Sequence, residues 1–521
     1  MAQEIRLKRR TDLMQGRLEV FGGEINAAAD LFRGTVSRSL SNPCSTPGRL
    51  PMAPAPDRRV FRPRIRGDIA GALVGVEMGA EPEHTSSSRV VLAGAIGNAI
   101  EFYDFTVYAF LAGYFAAQFF PSTDPIAGLL ASYATLAIGM IMRPVGGVLL
   151  GFVGDRLSRR YALQLSVVMI PVPTLIIGLL PTYAQIGVMA PILLIALRMI
   201  QGLSVGGEYS SSIVYIVEHA PPERRGLWGS FSPMGAFGGL FLGTAVCIAV
   251  GSVLGAEAMA EWGWRIPFIA SVLLAIVGIG VRMGLGADTK KPVGAPTENL
   301  LAHAFRKHWW EMLAIALANT STGVVTFVGF AYAVPWMVQV AGVTRVHALG
   351  INLYGLAAVA LLSLAGGALG DREGRLRVSI LGLVILLVGA WPAFHLMGST
   401  DTVAQVMGIT LLAVGQGFFV GPMCACMVAL VAPQVRTTVV SIGYSLPVGV
   451  FGGLAPLATE YVFARLGLQM APALVIMAGA LVSLAAILIM GRWPYRDPTH
   501  AGERQQGHIE TTAVPPARPQ S

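Results

Sequence analysis

Charged residues are scarce in this sequence of 521 residues. Only 13% are Asp, Glu, Lys or Arg, against about 25% in an average soluble protein, whereas 54% are hydrophobic and the mean hydropathy is +0.63. Apolar runs recur from residue 90 to residue 491. Each run is long enough to cross, as a helix, a hydrocarbon core about 30 Å thick. The composition excludes a soluble enzyme and predicts an all-α polytopic membrane protein.

Residues that bind metals and cofactors are also few. The four cysteines (Cys44, Cys247, Cys424 and Cys426) form neither a disulfide framework nor a metal cluster, and the eight histidines are scattered. The sequence contains neither a phosphate-binding G-x-x-x-x-G-K-[ST] loop nor the H-E-x-x-H pattern of zinc proteases. We therefore expect no metal and no cofactor, with the proton as the coupling ion, and we exclude a pump that carries its own nucleotide domain.

The apolar runs predict twelve transmembrane helices in two halves of six. The predicted spans are 90–118, 126–151, 161–181, 186–216, 227–254, 264–285, 308–340, 347–369, 377–398, 402–431, 436–465 and 468–491. The longest internal connection follows the sixth span, which divides the chain evenly. The predicted units are an N-terminal tail 1–88, a first bundle 89–286, a central loop 287–307, a second bundle 308–491 and a C-terminal tail 492–521.

The connections between the spans alternate in charge. Arginine and lysine are concentrated in every second connection, whereas 121–125, 182–185, 255–261, 342–347 and 398–402 carry almost none. Because cytoplasmic loops are enriched in Lys and Arg, this alternation predicts that both termini lie in the cytoplasm. The same bias accounts for the formal charge of +8 without nucleic-acid binding. Both tails are expected to be disordered, and Met78 is an alternative start.

An internal repeat supports the division into halves. GFVGDR at 151–156 follows the second span, and GALGDR at 367–372 follows the eighth. Glycines allow close helix approach, and the Asp-Arg pairs lie where the helices meet water. The repeat therefore predicts a cytoplasmic gate whose charged hydrogen bonds break and reform as the halves move. We expect Glu218 to pair with Arg225 there. The predicted gate residues are Arg143, Asp155, Arg156, Arg159, Arg160, Glu218, Arg225, Asp371, Arg372, Arg375 and Arg436.

Five further motifs resemble a known family. They are GNAIEFYDF at 97–105, MRPVGG at 142–147, QGLSVGGEY at 201–209, WGWRIPF at 262–268 and FGGLAP at 451–456. Together with the repeat, they are similar to the metabolite:proton symporter group of the major facilitator superfamily, which includes proline/betaine, shikimate, 2-oxoglutarate and citrate permeases. The resemblance covers residues 90–490. It implies the major facilitator fold and alternating-access transport of a small organic acid or zwitterion, driven by a proton gradient.

Two acidic residues in the first span are candidates for proton coupling. Glu101 and Asp104 share one helical face, and charge inside a bilayer is costly enough to indicate function. The alternative is a structural cluster that packs the first span against the fourth. Glu208, in the fourth span, is either a proton relay or a gate partner of Arg143 or Arg156.

Arg198, also in the fourth span, is the candidate for binding a substrate carboxylate. Its forked cation matches the two carboxylate oxygens, although it is equally suited to neutralise Glu101 or Asp104. Neutral polar residues complete the predicted binding set, and those in the second half are expected to shape selectivity. The predicted substrate-binding residues are Arg198, Asn98, Tyr108, Gln201, Asn319, Thr322, Tyr332, Gln416 and Tyr444.

These observations predict a secondary active transporter and not an enzyme. We predict proton-coupled import of a small organic carboxylate across a bacterial inner membrane by alternating access. A zwitterion symporter of the proline/betaine kind is the alternative, followed by an exporter and by a sensor that binds a metabolite without moving it. The expected partners are the small-molecule substrate, protons and the lipid bilayer, with no nucleic acid, and the protein is expected to be a monomer.

Overall fold

The computed structural model describes residues 87–121, 125–157, 159–283 and 300–490. The predicted Met78 start, the rest of the N-terminal tail up to residue 86 and the C-terminal tail lie outside the described residues. So does the first part of the predicted central loop.

Within the described ranges, twelve helices cross the molecule. Eleven of them are long and apolar enough to span a membrane, and the twelfth contains the shorter apolar helix Arg265–Val281. They are α1 Ser87–Phe119, α2 Pro125–Arg156, α3 Arg159–Met169 with Pro171–Leu179, α4 Met189–His219, α5 Phe231–Ala258, α6 Arg265–Met283, α7 Trp309–Val340, α8 Arg345–Glu373, α9 Arg375–Met397, α10 Thr402–Leu430, α11 Arg436–Leu446 with Pro447–Gly452 and Gly453–Leu466, and α12 Ala471–Met490. The described residues contain no strand. The predicted all-α membrane fold is confirmed.

Short helices occupy several of the predicted connections. Tyr183–Ile186 precedes α4, Arg225–Gly229 precedes α5, and Leu300–Lys307 lies in the central loop. The predicted loop 255–261 is instead largely helical: α5 kinks at Gly255, where φ is 79°, and a π-helical turn follows at Met259–Gly263. The apolar pattern did not indicate this turn because Glu257 and Glu261 interrupt it.

Two helices of the second half contain wide π-helical turns. They are Val325–Tyr332 in α7 and Pro447–Gly452 in α11. Pro447 lacks a backbone N–H, so the regular hydrogen-bond ladder of α11 cannot pass through it. The two segments lie together, since a Cβ added at Gly452 would be 2.8 Å from Cδ2 of Phe327. Such turns are frequent at functional sites.

The helices of the first half are joined by direct backbone contact. A Cβ added at Gly206 of α4 would lie 1.8 Å from the carbonyl oxygen of Arg143 on α2. A Cβ added at Gly235 of α5 would lie 2.2 Å from the carbonyl oxygen of Ala95 on α1. Only glycine permits this approach. The α2–α4 and α1–α5 pairs therefore have no side-chain layer between their backbones at these points.

The largest contacts between the two halves are made by two helix pairs. α2 packs on α11, and α5 packs on α8. We call the end of the bundle that carries the connections after α2, α4, α8 and α10 the basic face, since its arginines are Arg156, Arg224, Arg225, Arg372, Arg375 and Arg436. The other end is called the opposite face.

Candidate functional site

A cavity of about 220 Å³ lies between the halves. Its walls come from α1, α2, α4 and α5 of the first half and from α7 and α8 of the second. It extends along α1 from Glu101 to Phe110 and along α7 from Thr326 to Pro335, and it reaches Arg345, the first residue of α8. Because α1 and α7 both run towards the opposite face, the cavity leads from the middle of the bundle to that face.

Asp104 is the centre of a buried network at the cavity floor. Its Oδ2 accepts a hydrogen bond from Nη1 of Arg198 at 2.9 Å. Its Oδ1 accepts from Nε2 of Gln201 at 2.9 Å and from the hydroxyl of Thr174 at 2.7 Å. The network connects α1, α3 and α4. Three donors on one carboxylate compensate for the removal of its charge from water.

Among the described residues, Arg198 has partners on one side of its guanidinium group only. Its guanidinium carbon lies 3.5 Å from the centroid of the Tyr108 ring, and Nη1 also donates to Oε1 of Gln201 at 3.0 Å. Nε and Nη2 have no hydrogen-bond partner among the described residues, although both atoms are buried. Buried donors without a partner are costly. Nε and Nη2 form the edge of the guanidinium that binds a carboxylate in a bidentate manner, so this edge is suited to an anionic group of a ligand.

A second ion pair lies beside the first. Nη2 of Arg143 is 3.3 Å from Oε1 of Glu101, and both side chains are buried. Placing Arg143 in the gate was therefore wrong. It precedes the end of α2 at Arg156 by thirteen residues, about 20 Å along a helix, which brings it into the middle of the bundle.

The basic face is closed by a symmetric latch. Asp155 accepts hydrogen bonds from the backbone N–H groups of Thr437 at 3.0 Å and Thr438 at 2.7 Å, at the start of α11. Asp371 accepts from those of Gly226 and Leu227, both at 2.8 Å, in the short helix before α5. Each repeat thus supplies an aspartate that caps a helix of the other half, where unpaired N–H groups and the helix dipole favour a negative charge.

Two arginines strengthen the latch. Nη1 of Arg436 lies 2.7 Å from Oε1 of Glu218. Arg375 donates through Nε to Asp371 at 2.8 Å and through Nη2 to the carbonyl oxygen of Pro222 at 2.7 Å. Both arginines belong to the second half, and Glu218 and Pro222 belong to the first. The two repeats and these arginines therefore join the halves at the basic face.

Closer to the cavity floor, α4 and α11 are also in contact. The rings of Tyr209 and Tyr444 stack, with centroids 4.5 Å apart and an interplanar angle of 18°. The hydroxyl of Ser445 donates to the carbonyl oxygen of Gly206 at 2.8 Å. Between the cavity and the basic face, the halves are packed together.

The architecture and the repeat are those of a known superfamily. The profile of the Major Facilitator Superfamily matches residues 94–444, which include both ion pairs and both latch aspartates. The chain belongs to the Major Facilitator Superfamily.

Relatives of this major facilitator are transporters. The Proline/betaine transporter of Salmonella typhimurium is 30% identical over 410 residues, 76% of this chain and 82% of the relative. The Glycine betaine/proline/ectoine/pipecolic acid transporter OusA of Dickeya dadantii is 30% identical over 415 residues, 77% of this chain and 83% of the relative. The solved structure of the proton:xylose symporter XylE bound to 6-bromo-6-deoxy-D-glucose has a TM-score of 0.61 over 78% of this chain and 95% of that chain, at 15% identity, which shows the fold alone. The resemblance to the metabolite:proton symporter group is confirmed, and the protein is a transporter and not an enzyme.

Most of the predicted substrate-binding residues do not line this cavity. Arg198 and Gln201 line it. The described residues that the prediction placed there but that lie elsewhere are Asn98, Tyr108, Asn319, Thr322, Tyr332, Gln416 and Tyr444. In this conformation several of them hold helices together.

The reason is that a polar side chain in a helix has partners other than a ligand. Asn98 donates to the hydroxyl of Ser212 at 3.0 Å. Asn319 donates to the carbonyl oxygen of Ile315, one turn earlier in its own helix, at 2.8 Å. Such bonds between a side chain and its own helix backbone are common in apolar helices.

Tyr108, Tyr332, Thr322 and Gln416 are also placed by helix packing. The hydroxyl of Tyr108 donates to the carbonyl oxygen of Ser132 at 3.2 Å, and that of Tyr332 donates to Oε2 of Glu460 at 2.5 Å. Thr322 and Gln416 are buried, and neither the Thr322 hydroxyl nor the Gln416 amide has a hydrogen-bond partner among the described residues.

The remaining gate predictions have mixed outcomes. Glu218 does not pair with Arg225, because Arg436 at the start of α11 binds it, and Nε of Arg225 has no hydrogen-bond partner among the described residues. Arg156 and Arg372 are exposed. The side chains of Arg159 and Arg160 lie outside the described part of the structure.

Glu208 is buried against α3, not in the gate. Its Oε2 accepts a hydrogen bond from the hydroxyl of Ser166. Of its two predicted partners, Arg143 is bound by Glu101.

Sequence reasoning missed the polar residues that α8 contributes to the cavity wall, Arg345 and Asn352. Arg345, Leu349, Asn352 and Leu356 line the cavity along α8. Their spacing places them on one helical face, from the mouth inwards. Arg345 was overlooked because 342–347 was grouped with the cation-poor connections. An arginine in a connection otherwise without cations was the signal that could have identified it.

Proposed function

We propose that this major facilitator imports a small zwitterionic solute together with protons across a bacterial inner membrane. Two bacterial relatives, each about 30% identical, are named for proline, betaine, ectoine or pipecolic acid, which all carry a carboxylate and a cationic nitrogen. The observation that carries the proposal is the Nε and Nη2 edge of Arg198, a residue that lines the cavity: neither buried nitrogen has a hydrogen-bond partner among the described residues. This edge receives the carboxylate of the solute.

The charge balance of the floor supports a solute without net charge. Two carboxylates, Glu101 and Asp104, face two guanidinium groups, Arg143 and Arg198, so the formal charges cancel. A zwitterion enters this buried site without adding net charge, and uncompensated charge in such a site is costly. The proton then accounts for the charge moved in each cycle.

Competition for Arg198 provides the coupling. Asp104 holds Nη1 of Arg198 in the unloaded site. A proton on Asp104 removes that charge and leaves Arg198 free to turn its full fork to the substrate carboxylate. Proton and substrate therefore favour the same state, which is the requirement for linked binding.

The basic face lies in the cytoplasm in this proposal. Its arginines follow the bias of cytoplasmic loops, and the latch that closes it leaves the cavity directed outwards. Transport then proceeds by opening of the latch and closure of the opposite face around the loaded cavity.

Uptake into liposomes tests the proposal. Purified protein is reconstituted into vesicles that are acidic outside and alkaline inside, and accumulation of proline, betaine, ectoine, citrate and 2-oxoglutarate is measured with and without a proton ionophore. We expect ionophore-sensitive accumulation of a zwitterion. Accumulation that the ionophore leaves unchanged would contradict proton coupling, and uptake of none of the zwitterions would contradict the substrate class.

Two variants assign the roles at the floor. Arg198→Gln is expected to abolish uptake, because it removes the carboxylate site. Asp104→Asn is expected to retain exchange of labelled substrate but to lose accumulation against a gradient. Asp401→Asn is the matched control, since Asp401 caps α10 through Val403 and Ala404, away from the cavity. Normal affinity in Arg198→Gln would disprove the carboxylate site.

A small organic carboxylate is the second candidate substrate. Arg345 at the cavity mouth favours it, because a third cation lining the same cavity attracts anions. The same panel distinguishes the two: accumulation of citrate or 2-oxoglutarate, with no uptake of proline, betaine or ectoine, supports the carboxylate.

A further inference from the structure

In the described part of the chain, one amide of the cavity wall has an oxygen without a hydrogen-bond partner. Asn352 lies on the face of α8 that lines the cavity, and only 7% of the residue is exposed. Its Oδ1 is buried and has no hydrogen-bond partner among the described residues. A buried acceptor without a donor destabilises a protein unless a ligand or water supplies the donor.

The position of Asn352 distinguishes it from the other unpaired amide. Within the described part of the chain, the buried amide oxygens without a partner are those of Asn352 and Gln416. Gln416 lies on α10 and does not line the cavity, whereas Asn352 does. Asn352 therefore borders the space that a ligand in the cavity would occupy.

Apart from Asn352, the cavity wall offers few hydrogen-bond acceptors to a cationic nitrogen. The acidic residues of the lining are Glu101 and Asp104, and each is already bound by an arginine. The three threonines of the lining each donate to a backbone carbonyl of their own helix; they are Thr106, Thr244 and Thr326. Much of the remaining wall is aromatic or aliphatic.

We propose that Oδ1 of Asn352 accepts a hydrogen bond from an N–H of the substrate's cationic nitrogen. This inference rests on the proposed function, in which Arg198 binds the carboxylate. The two ends of the zwitterion are then held by opposite halves of the protein, the carboxylate by α4 and the nitrogen by α8. Asn352 consequently determines specificity: it favours solutes that carry an N–H over those whose nitrogen is fully methylated.

Dimethylglycine and trimethylglycine test this role directly. They differ by one methyl group, and only dimethylglycine retains an N–H. Inhibition constants for both are measured by competition with the transported substrate in proteoliposomes of the wild type, Asn352→Leu and Gln416→Leu. The last variant is the matched control, because it removes a buried amide that lies outside the cavity and has no partner among the described residues.

We expect the wild type to prefer dimethylglycine. Asn352→Leu should raise the inhibition constant of dimethylglycine about tenfold, because one charge-assisted hydrogen bond is lost. The inhibition constant of trimethylglycine should stay within about twofold of the wild-type value. Gln416→Leu should change both constants equally. Asn352→Asp keeps an acceptor at the same place and should keep the preference, which provides a second measurement if the leucine variant does not fold.

The outcomes separate the two proposals. A wild type without preference, equal losses for both solutes in Asn352→Leu, or a lost preference in Asn352→Asp would overturn the role of Asn352, while uptake of either zwitterion would still support the proposed function. Transport of organic acids without binding of any zwitterion would instead overturn the proposed function.

Discussion

Asp371→Asn is the most direct perturbation of the latch. Asp371 accepts hydrogen bonds from the N–H groups of Gly226 and Leu227 in the other half and from Nε of Arg375, each at 2.8 Å. Asparagine has nearly the same size but replaces one acceptor oxygen by an NH₂ group. One backbone N–H therefore loses its acceptor, and Arg375 loses its ionic partner, while the packing is preserved.

The size of the effect follows from the bonds lost. A hydrogen bond to a charged group contributes about 1.5–3 kcal/mol. When the basic face opens, Asp371 moves away from Gly226 and Leu227, so the substitution raises the free energy of the closed state alone. We expect the closed state to lose about 2 kcal/mol relative to the open state, which changes the ratio of the two populations about 30-fold.

Cysteine labelling measures this ratio. A single cysteine replaces Thr326 in the cavity wall, the native cysteines are removed, and a membrane-impermeant maleimide is added at the opposite face. We expect Asp371→Asn to slow the labelling markedly. Asp401→Asn also replaces a helix-capping carboxylate by an amide, but within the second half, so it should be labelled at the rate of the protein with Asp371 intact. Equal rates in the two variants would refute the assignment of Asp371 to the latch.

Three further predictions concern the interface, the floor and the mouth. In Gly367→Ala the new Cβ would lie 1.9 Å from Oγ of Ser230 in the other half, so we expect the same loss of labelling, whereas Gly238→Ala, which meets nothing within 4 Å, should label normally. Glu101→Gln leaves a buried guanidinium without its ionic partner, and denaturation in detergent should show a loss of about 3 kcal/mol; an unchanged midpoint would contradict the ion pair. Arg345→Gln removes a cation from the cavity mouth, so the KM for a carboxylate-bearing solute should rise about threefold at low ionic strength and less at high salt. A KM that is unchanged at low ionic strength would contradict attraction of the solute by Arg345.

The fold could be predicted because its determinants are local. An apolar run long enough to span the bilayer can be recognised within a short stretch of sequence, and a repeated GxxGDR marks the two halves. The wide turns of α7 and the helical continuation of α5 were not predicted. Val325–Tyr332 contains no proline that would mark an irregular turn, and its contact with α11 joins residues far apart in the sequence.

The site was predicted in part for a physical reason. Charge in an apolar helix is rare, so Asp104 and Arg198 were identified, and the structure brings them together at 2.9 Å. Neutral polar residues carry no such signal: whether Asn319 faces the cavity or its own backbone depends on the rotation of α7. The pairing of Glu218 with Arg436 similarly depends on which helix ends are adjacent, and a single sequence does not contain that information.

The wide turn of α7 gives the cavity a second way to change shape. A π-helical turn holds one more residue than an α-helical turn, so its removal or passage along the helix rotates the neighbouring side chains by about 100°, the angle between successive residues. Thr326, Phe327 and Phe330 lie in this turn and line the cavity. Rewinding α7 would therefore exchange which residues face the solute while the angle between the halves stays fixed. The residues that line the cavity then depend on the helical register of α7 as well as on the orientation of the halves. A ligand that fits one register would disfavour conversion to the other.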